Sequence, residues 1–215
     1  GYEYSRSHNP TRKAYENCIA SLENGNFGYA FASGLSATTV LLQMFKSGDH
    51  IVAGDDMYGG TFRLFDKIYR HNGFEFSYAD LTNPDNFDKA CTPKTKLLWI
   101  ESPTNPMLKL VDIAALVKKA HARGVLVAVD NTFMSPYFQR PLDLGADLVV
   151  HSSTKYLGGH SDMIGGVIVG RSQELNERLF FLSNAMGPVA SAFDAFLAMR
   201  SLKTLAVRMR AHQEN

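Results

Sequence analysis

The chain has 215 residues, 45% of them apolar, which is enough to bury a substantial core as one large domain or one domain with an appendage. Its 22 basic and 21 acidic side chains nearly cancel. That leaves no electrostatic footprint for nucleic acid or an anionic membrane, and no apolar run approaches the roughly 20 residues of a membrane span. Cys18 and Cys91 are too few and too far apart for a disulfide scaffold or a cysteine zinc site, and they read as indifferent thiols of a reducing, cytoplasmic compartment. The N-terminal GYEYSRSHNPTR has no signal-peptide core and does not begin with Met, so a piece of a longer chain is expected.

Short apolar runs alternate with longer amphipathic ones. Phe27–Ser33 predicts a strand and Leu35–Phe45 a helix; His50–Ala53 a strand and Thr61–Arg70 a helix. Phe74–Tyr78 predicts a strand, Asn86–Cys91 a weak helix, Lys96–Glu101 a strand and Ile113–Arg123 a helix. Strands follow at Val125–Asp130, Asp147–Ser152 and Gly166–Val169, and two helical stretches begin at Glu174. This alternation implies crossover units, hence an α/β fold with a mostly parallel sheet and helices on both faces; the continuously apolar strands agree.

In such folds ligands bind beyond the carboxyl ends of the strands. The residues standing there are Ser33-Gly34, Asp55-Asp56-Met57-Tyr58, Glu101-Ser102-Pro103-Thr104-Asn105, Asp130-Asn131 and Ser152-Ser153-Thr154-Lys155. Taken singly, most have ordinary readings. Asp130 suits a turn, Lys155 a solvated charge, Ser33 a helix cap, and Tyr58-Gly59-Gly60 a turn with a half-buried ring. Together they offer a carboxylate for a protonated ring nitrogen, an amine for Schiff-base chemistry, a helix N-terminus for phosphate and an aromatic ring to stack on a planar cofactor.

Three other chemistries fit less well. Ser152-Ser153-Thr154-Lys155 matches the S-x-x-K of serine acyl-transferases, but it closes an apolar run instead of opening a helix. Its partner motifs also fail, because Val129 precedes Asp130 and Leu205 follows Lys203-Thr204. No G-x-G-x-x-G follows an early strand, and Gly158-Gly159 and Gly165-Gly166 lack the context of a dinucleotide site. His151 and His160 form no compact cluster with other zinc ligands and read as ordinary polar residues.

Six blocks carry a resemblance: YSRSHNPT (4–11), AFASGLSAT (30–38), DDMYGGTFR (55–63), ESPTNP (101–106), VDNTFMSPYFQRPLDLGAD (129–147) and SSTKYLGGHSD (152–162). In order and over nearly the whole chain they resemble the Cys/Met-metabolism enzymes dependent on pyridoxal 5'-phosphate (PLP), the trans-sulfuration family of cystathionine γ-lyase, γ-synthase, β-lyase and methionine γ-lyase. The resemblance implies the large domain of a type I, aspartate aminotransferase-like PLP enzyme. It implies Lys155 as the Schiff-base lysine, which also moves protons at substrate Cα and Cβ, and Asp130 as partner of the pyridine nitrogen. Tyr58 would stack on the ring and help proton transfer, with Asn105 beside the ring oxygen. Gly34 and Leu35, with Ser152 and Thr154, would hold the phosphate, and Tyr4 and Arg6 would reach a neighbouring subunit's phosphate.

The implied assembly is a homotetramer built from dimers with shared sites. The implied organisation is an arm over 1–12, the PLP domain over 13–200 and, over 201–215, the start of a connection to a small C-terminal domain absent here. That absent domain would carry the arginine that grips the substrate carboxylate. The arm departs from the family's S-R-S-G-N-P by having His8 in place of Gly, so it is expected to sit slightly differently. Gly60 stands where methionine γ-lyases typically carry Cys. The expected activity is γ-cleavage of L-cystathionine, a small amino-acid substrate. The alternatives are γ-synthase, β-lyase, or a PLP-binding remnant without turnover.

Overall fold

The computed structural model describes residues 1–215. Its strands are β1 (Phe27–Phe31), β2 (His50–Gly54), β3 (Glu75–Ala79), β4 (Thr95–Glu101), β5 (Leu126–Asp130), β6 (Leu148–Ser152) and β7 (Gly166–Gly170). Its α-helices are α1 (Pro10–Leu22), α2 (Gly34–Leu42), α3 (Gly59–Arg63), α4 (Asp85–Ala90), α5 (Ile113–His121), α6 (Ser135–Phe138), α7 (Gln173–Met186), α8 (Ala192–Leu202) and α9 (Leu205–Glu214). The strands form one sheet in the order β1-β7-β6-β5-β4-β2-β3. β3, β2, β4 and β5 pair in parallel, and β1 pairs with β7 antiparallel. The sheet is therefore mixed, with an antiparallel edge pair on a parallel run.

The chain divides into two compact units. The first comprises residues 1–44, 132–140 and 150–215. In it α1 packs on β1 and α8, and α2 packs on β7. The side chain of Asn9 caps α1 by accepting from the Arg12 N–H, and Pro10 occupies the first turn, where a missing N–H costs nothing. Tyr15 and Ile19, one turn apart, are buried. The sequence reading assigned no helix here because the polar arm runs straight into α1.

α2 begins where Ser33 caps it, its hydroxyl accepting from the Ser36 N–H at 3.0 Å. Ser33→Ala is expected to cost about 1 kcal/mol in urea unfolding of the complete protein. The C-terminal region holds three helices instead of the expected two. α7 stops at Gly187, which takes the left-handed conformation at φ 84, and Thr204 at φ −111, ψ 4 breaks α8 from α9. β1 is also shorter than expected, since Ser33 belongs to the cap of α2.

The second unit comprises residues 45–131 and 141–149. All five residues of β2 are buried, as are six of the seven in β4, because helices cover both faces. One apolar cluster joins Val52, Leu98, Ile100, Val127 and Val129 of the strands to Ile113, Leu116 and Ala120 of α5. Trp99 lies edge-on to Phe65, which stacks on Phe76. The predicted helix Thr61–Arg70 is α3 followed by a π-helical segment, Leu64–Tyr69. The edge strand β3 is only partly buried.

Candidate active site

In the first unit the residues of interest gather at the end of β6. Ser152 is the last residue of that strand, and its backbone N–H donates to Thr132 Oγ1 at 2.9 Å. Residues 153–158 form tight turns, closed by Gly158 N–H to the Ser153 carbonyl (2.7 Å) and Gly159 N–H to the Lys155 carbonyl (2.7 Å). Lys155 is held by its backbone in this turn, while its side chain is exposed. The Thr154 hydroxyl accepts from Gly165 N–H at 3.1 Å and donates to the Gly165 carbonyl at 3.3 Å, leaving one lone pair.

The N-terminus of α2 lies against the same strand end. A Cβ on Gly34 would stand 2.9 Å from Ser152 Cβ, and one on Gly166 would stand 2.2 Å from the Ser33 carbonyl oxygen. Only glycine allows these approaches. Ser33 takes the Ser36 N–H on its side chain and the Ala37 N–H on its carbonyl. The N–H groups of Gly34 and Leu35, at the helix start, have no intrahelical acceptor and face an anion-favouring dipole end. This cradle fits a phosphate group.

In the second unit two acids end adjacent strands. Glu101 of β4 and Asp130 of β5 are register partners, so their side chains share a face. Glu101 is buried and accepts the Tyr58 N–H on Oε2 at 3.0 Å. Burial, then the charges of Asp130 and Asp56, push its carboxyl up to about 8, against the pull of N–H donors from Tyr58 and Asn105. Its protonated form is favoured well above the usual carboxylate range. A folded carboxyl titrating near 8, against 4.5 when unfolded, contributes stability that is complete below about 4.5 and lost as pH rises through about 8. The carboxyl of Asp130 at the end of β5 suits a protonated ring nitrogen.

The Tyr58 ring is partly exposed and lies over Gly60, where a Cβ would stand 2.4 Å from Tyr58 Cε1. A larger residue there displaces the ring. Asn105 sits in the loop after β4, where Asp56 accepts from the Thr104 hydroxyl and, at 3.0 Å, from the Met107 N–H. The peptide bonds before Pro103 and Pro106 are cis.

Tyr4 and Arg6 lie elsewhere in the first unit. The Arg6 guanidinium stacks over the Tyr4 ring at 5.1 Å and donates to the Asn184 carbonyl of α7. His8 packs its ring 5.6 Å from Phe180 of the same helix. Arg12 ties down the arm by donating to the carbonyls of Ser5 and Arg6 at 2.7 and 2.8 Å.

The structure thus brings Lys155, Ser152, Thr154, Gly34 and Leu35 to one strand end of the first unit, and Asp130, Tyr58 and Asn105 to the loops around Glu101 in the second. Sequence reasoning assigned no role to Glu101, Thr132 or the Gly165-Gly166 pair. Glu101 did stand out as an acid ending an apolar strand, but its pairing with Asp130 is a matter of register. Ser152 of the S-x-x-K stretch closes a strand here, unlike the helix-opening serine of an acyl-transferase. No helix is long and apolar enough to cross a membrane.

Comparison with known proteins agrees with this chemistry. A family model described as Cys/Met metabolism PLP-dependent enzyme matches residues 1–215. The chain is 52% identical over 217 residues to a cystathionine β-lyase of Coxiella burnetii, covering all of this chain and 56% of that protein. It is 51% identical over 215 residues to a probable cystathionine γ-synthase of Herpetosiphon aurantiacus, covering all of this chain and 67% of that one. The crystal structure of cystathionine γ-lyase from Lactobacillus plantarum complexed with L-serine superposes with a TM-score of 0.97 at 50% identity, over 98% of this chain and 55% of that one. The chain belongs to the Cys/Met-metabolism family of PLP-dependent enzymes. It spans little more than half the length of most of the relatives named here.

Proposed function

We propose that this chain is the PLP-binding part of an enzyme that cleaves L-cystathionine on the γ side, releasing cysteine, 2-oxobutyrate and ammonia. The observation that carries the reading is the Lys155 amine, held by a backbone turn at the end of β6 yet free at its side chain. PLP, when bound, supplies an electron sink for negative charge developing at the substrate Cα. Lys155 would hold the cofactor through its aldehyde, and its amine, once the substrate amine has taken its place, would take the Cα proton and a second proton from Cβ. Asp130 would pair with the ring nitrogen, beside Glu101, whose burial disfavours a second charge. Gly34 and Leu35 offer backbone N–H groups to the phosphate, with Ser152 and Thr154 beside them. Tyr58 stacks on the ring and assists proton transfer, and Asn105 stands near the ring oxygen.

Gly60 supports a cystathionine enzyme over a methionine γ-lyase, which typically carries Cys at this place; the Tyr58 ring lies over this glycine. The γ-lyase structure at a TM-score of 0.97 supports γ-cleavage. The β-lyase and γ-synthase relatives, at 52% and 51% identity, keep those two activities as the competing readings. We further propose an arm over 1–12, a PLP domain over 13–200 and a connecting segment over 201–215. In the complete cytoplasmic protein, a homotetramer built from dimers, Tyr4 and Arg6 would turn from α7 to a neighbour's phosphate.

Incubating the complete protein with cystathionine tests the activity. Cysteine with 2-oxobutyrate is the expected product pair. Homocysteine with pyruvate would establish β-cleavage instead. Cystathionine made from an O-acylhomoserine and cysteine, without cleavage, would establish the synthase.

A further inference from the structure

Glu101 is a buried acid that the proposed chemistry leaves without a task. It closes β4, a strand whose other buried residues include Leu97, Leu98, Trp99 and Ile100, and it forms no ion pair. A carboxyl in such a place is costly unless something compensates. Three residues surround it. Tyr58, from the loop after β2, donates its backbone N–H at 3.0 Å, and the backbone N–H of Asn105, from the loop after β4, lies close enough to favour its charged form. Asp130, at the end of β5, is its register partner. These are the three residues of the second unit with proposed roles at the PLP ring, and one carboxyl connects them.

The remaining charges nearby are already committed. Asp56 takes the Thr104 hydroxyl and the Met107 N–H, pinning the same two loops from another point. Lys109, the cation of this loop region, pairs with Asp55 at 3.0 Å and lies 3.6 Å from Asp80. Glu101 therefore faces the acids Asp130 and Asp56, both of which oppose its charging. An aliphatic side chain would fill the same space but not accept the Tyr58 N–H. An amide would accept it but never acquire charge.

We propose that Glu101 is a positioning residue of the cofactor site, whose carboxyl anchors the backbone of Tyr58 and sets the electrostatic setting in which Asp130 meets the ring nitrogen. This rests on the PLP reading above. While Glu101 is neutral, Asp130 carries the negative charge of the pair alone. When Glu101 loses its proton, a second charge appears beside Asp130 and holds a ring-nitrogen proton more tightly.

The test uses the complete protein stripped of PLP, as wild type, Glu101→Gln and Glu101→Ala, titrated with pyridoxamine 5'-phosphate. That probe has the same ring and phosphate but no aldehyde, so Lys155 cannot contribute a Schiff-base titration. At pH 7, Glu101→Gln keeps the acceptor and neutrality and is expected to bind within about threefold of wild type. Glu101→Ala loses the Tyr58 anchor and is expected to bind roughly tenfold more weakly. Between about pH 6 and pH 10 the affinity profiles of wild type and Glu101→Gln are expected to diverge, because only the wild type acquires the second charge as its raised carboxyl ionises.

Wild-type affinity in Glu101→Ala, or a Glu101→Gln profile that follows the wild type across this range, would overturn the proposal. Should Glu101→Ala fail to fold, the Glu101→Gln profile decides alone. A wild-type protein that takes up neither PLP nor the probe overturns the PLP reading itself; failure confined to the Glu101 variants leaves that reading standing.

Discussion

Lys155→Ala in the complete protein is expected to abolish the visible absorption of the Schiff base and to lower turnover by at least about 10²–10⁴-fold, the range associated with a lost proton-transfer group. Borohydride reduction should fix PLP covalently on the peptide that contains Lys155 in the wild type, and fix none in the variant. The side chain is exposed and the turn around it is held by backbone hydrogen bonds, so the fold should tolerate the change to within about 0.5 kcal/mol. Lost colour with an unchanged urea midpoint separates a chemical role from a structural one. Colour retained in the variant would mean that another lysine is the anchor, and the functional reading would fall.

His151→Ala is expected to carry the largest stability loss. His151 precedes Ser152 on β6, and its Nε2 lies 2.6 Å from Glu23 Oε1, just past the end of α1, with both side chains fully buried. Removing the imidazole leaves a carboxyl in the interior beside a cavity. Breaking such a buried pair costs about 3–5 kcal/mol. The consequence reaches the site, because the strand end anchored by this pair carries Ser152 and leads into the Lys155 turn. Urea unfolding checks the loss, and Glu23→Gln, which keeps an acceptor in place, should be milder. A His151→Ala protein within 1 kcal/mol of wild type, a threshold below the range just given, would show that the pair does not anchor β6.

The candidate site was legible in sequence to the extent that its residues follow strands. Ser33-Gly34, Tyr58, Asp130 and Ser152–Lys155 each stand just past an apolar run, and the seven runs predicted as strands are the seven strands observed. The misses share a cause. α1 was passed over because Asn9-Pro10, a helix start, was read as the tail of a polar arm. The division of the last region into α7, α8 and α9 hangs on single backbone conformations at Gly187 and Thr204, inside stretches that are helical on either side. Gly165 and Gly166 were weighed only against a dinucleotide motif. What Gly166 serves is its contact with the Ser33 carbonyl, more than 130 residues earlier in the chain.

By itself the sequence determined the α/β class, the parallel strands of the second unit, the family and the identity of the candidate lysine. All of these depend on local periodicity, on residues at strand ends and on motifs that survive as contiguous blocks. Tertiary structure alone decided the antiparallel pairing of β1 with β7, the close seat of Gly34 on Ser152 and the union of Glu101 with Asp130, Tyr58 and Asn105. The physical reason is that strand register and the close approach of backbones join residues distant in the chain. Lys155, a surface charge when read alone, acquires its meaning from the turn that holds it at the end of β6. Glu101, an acid at a strand end with no role legible in sequence, acquires its own from the strand laid beside it.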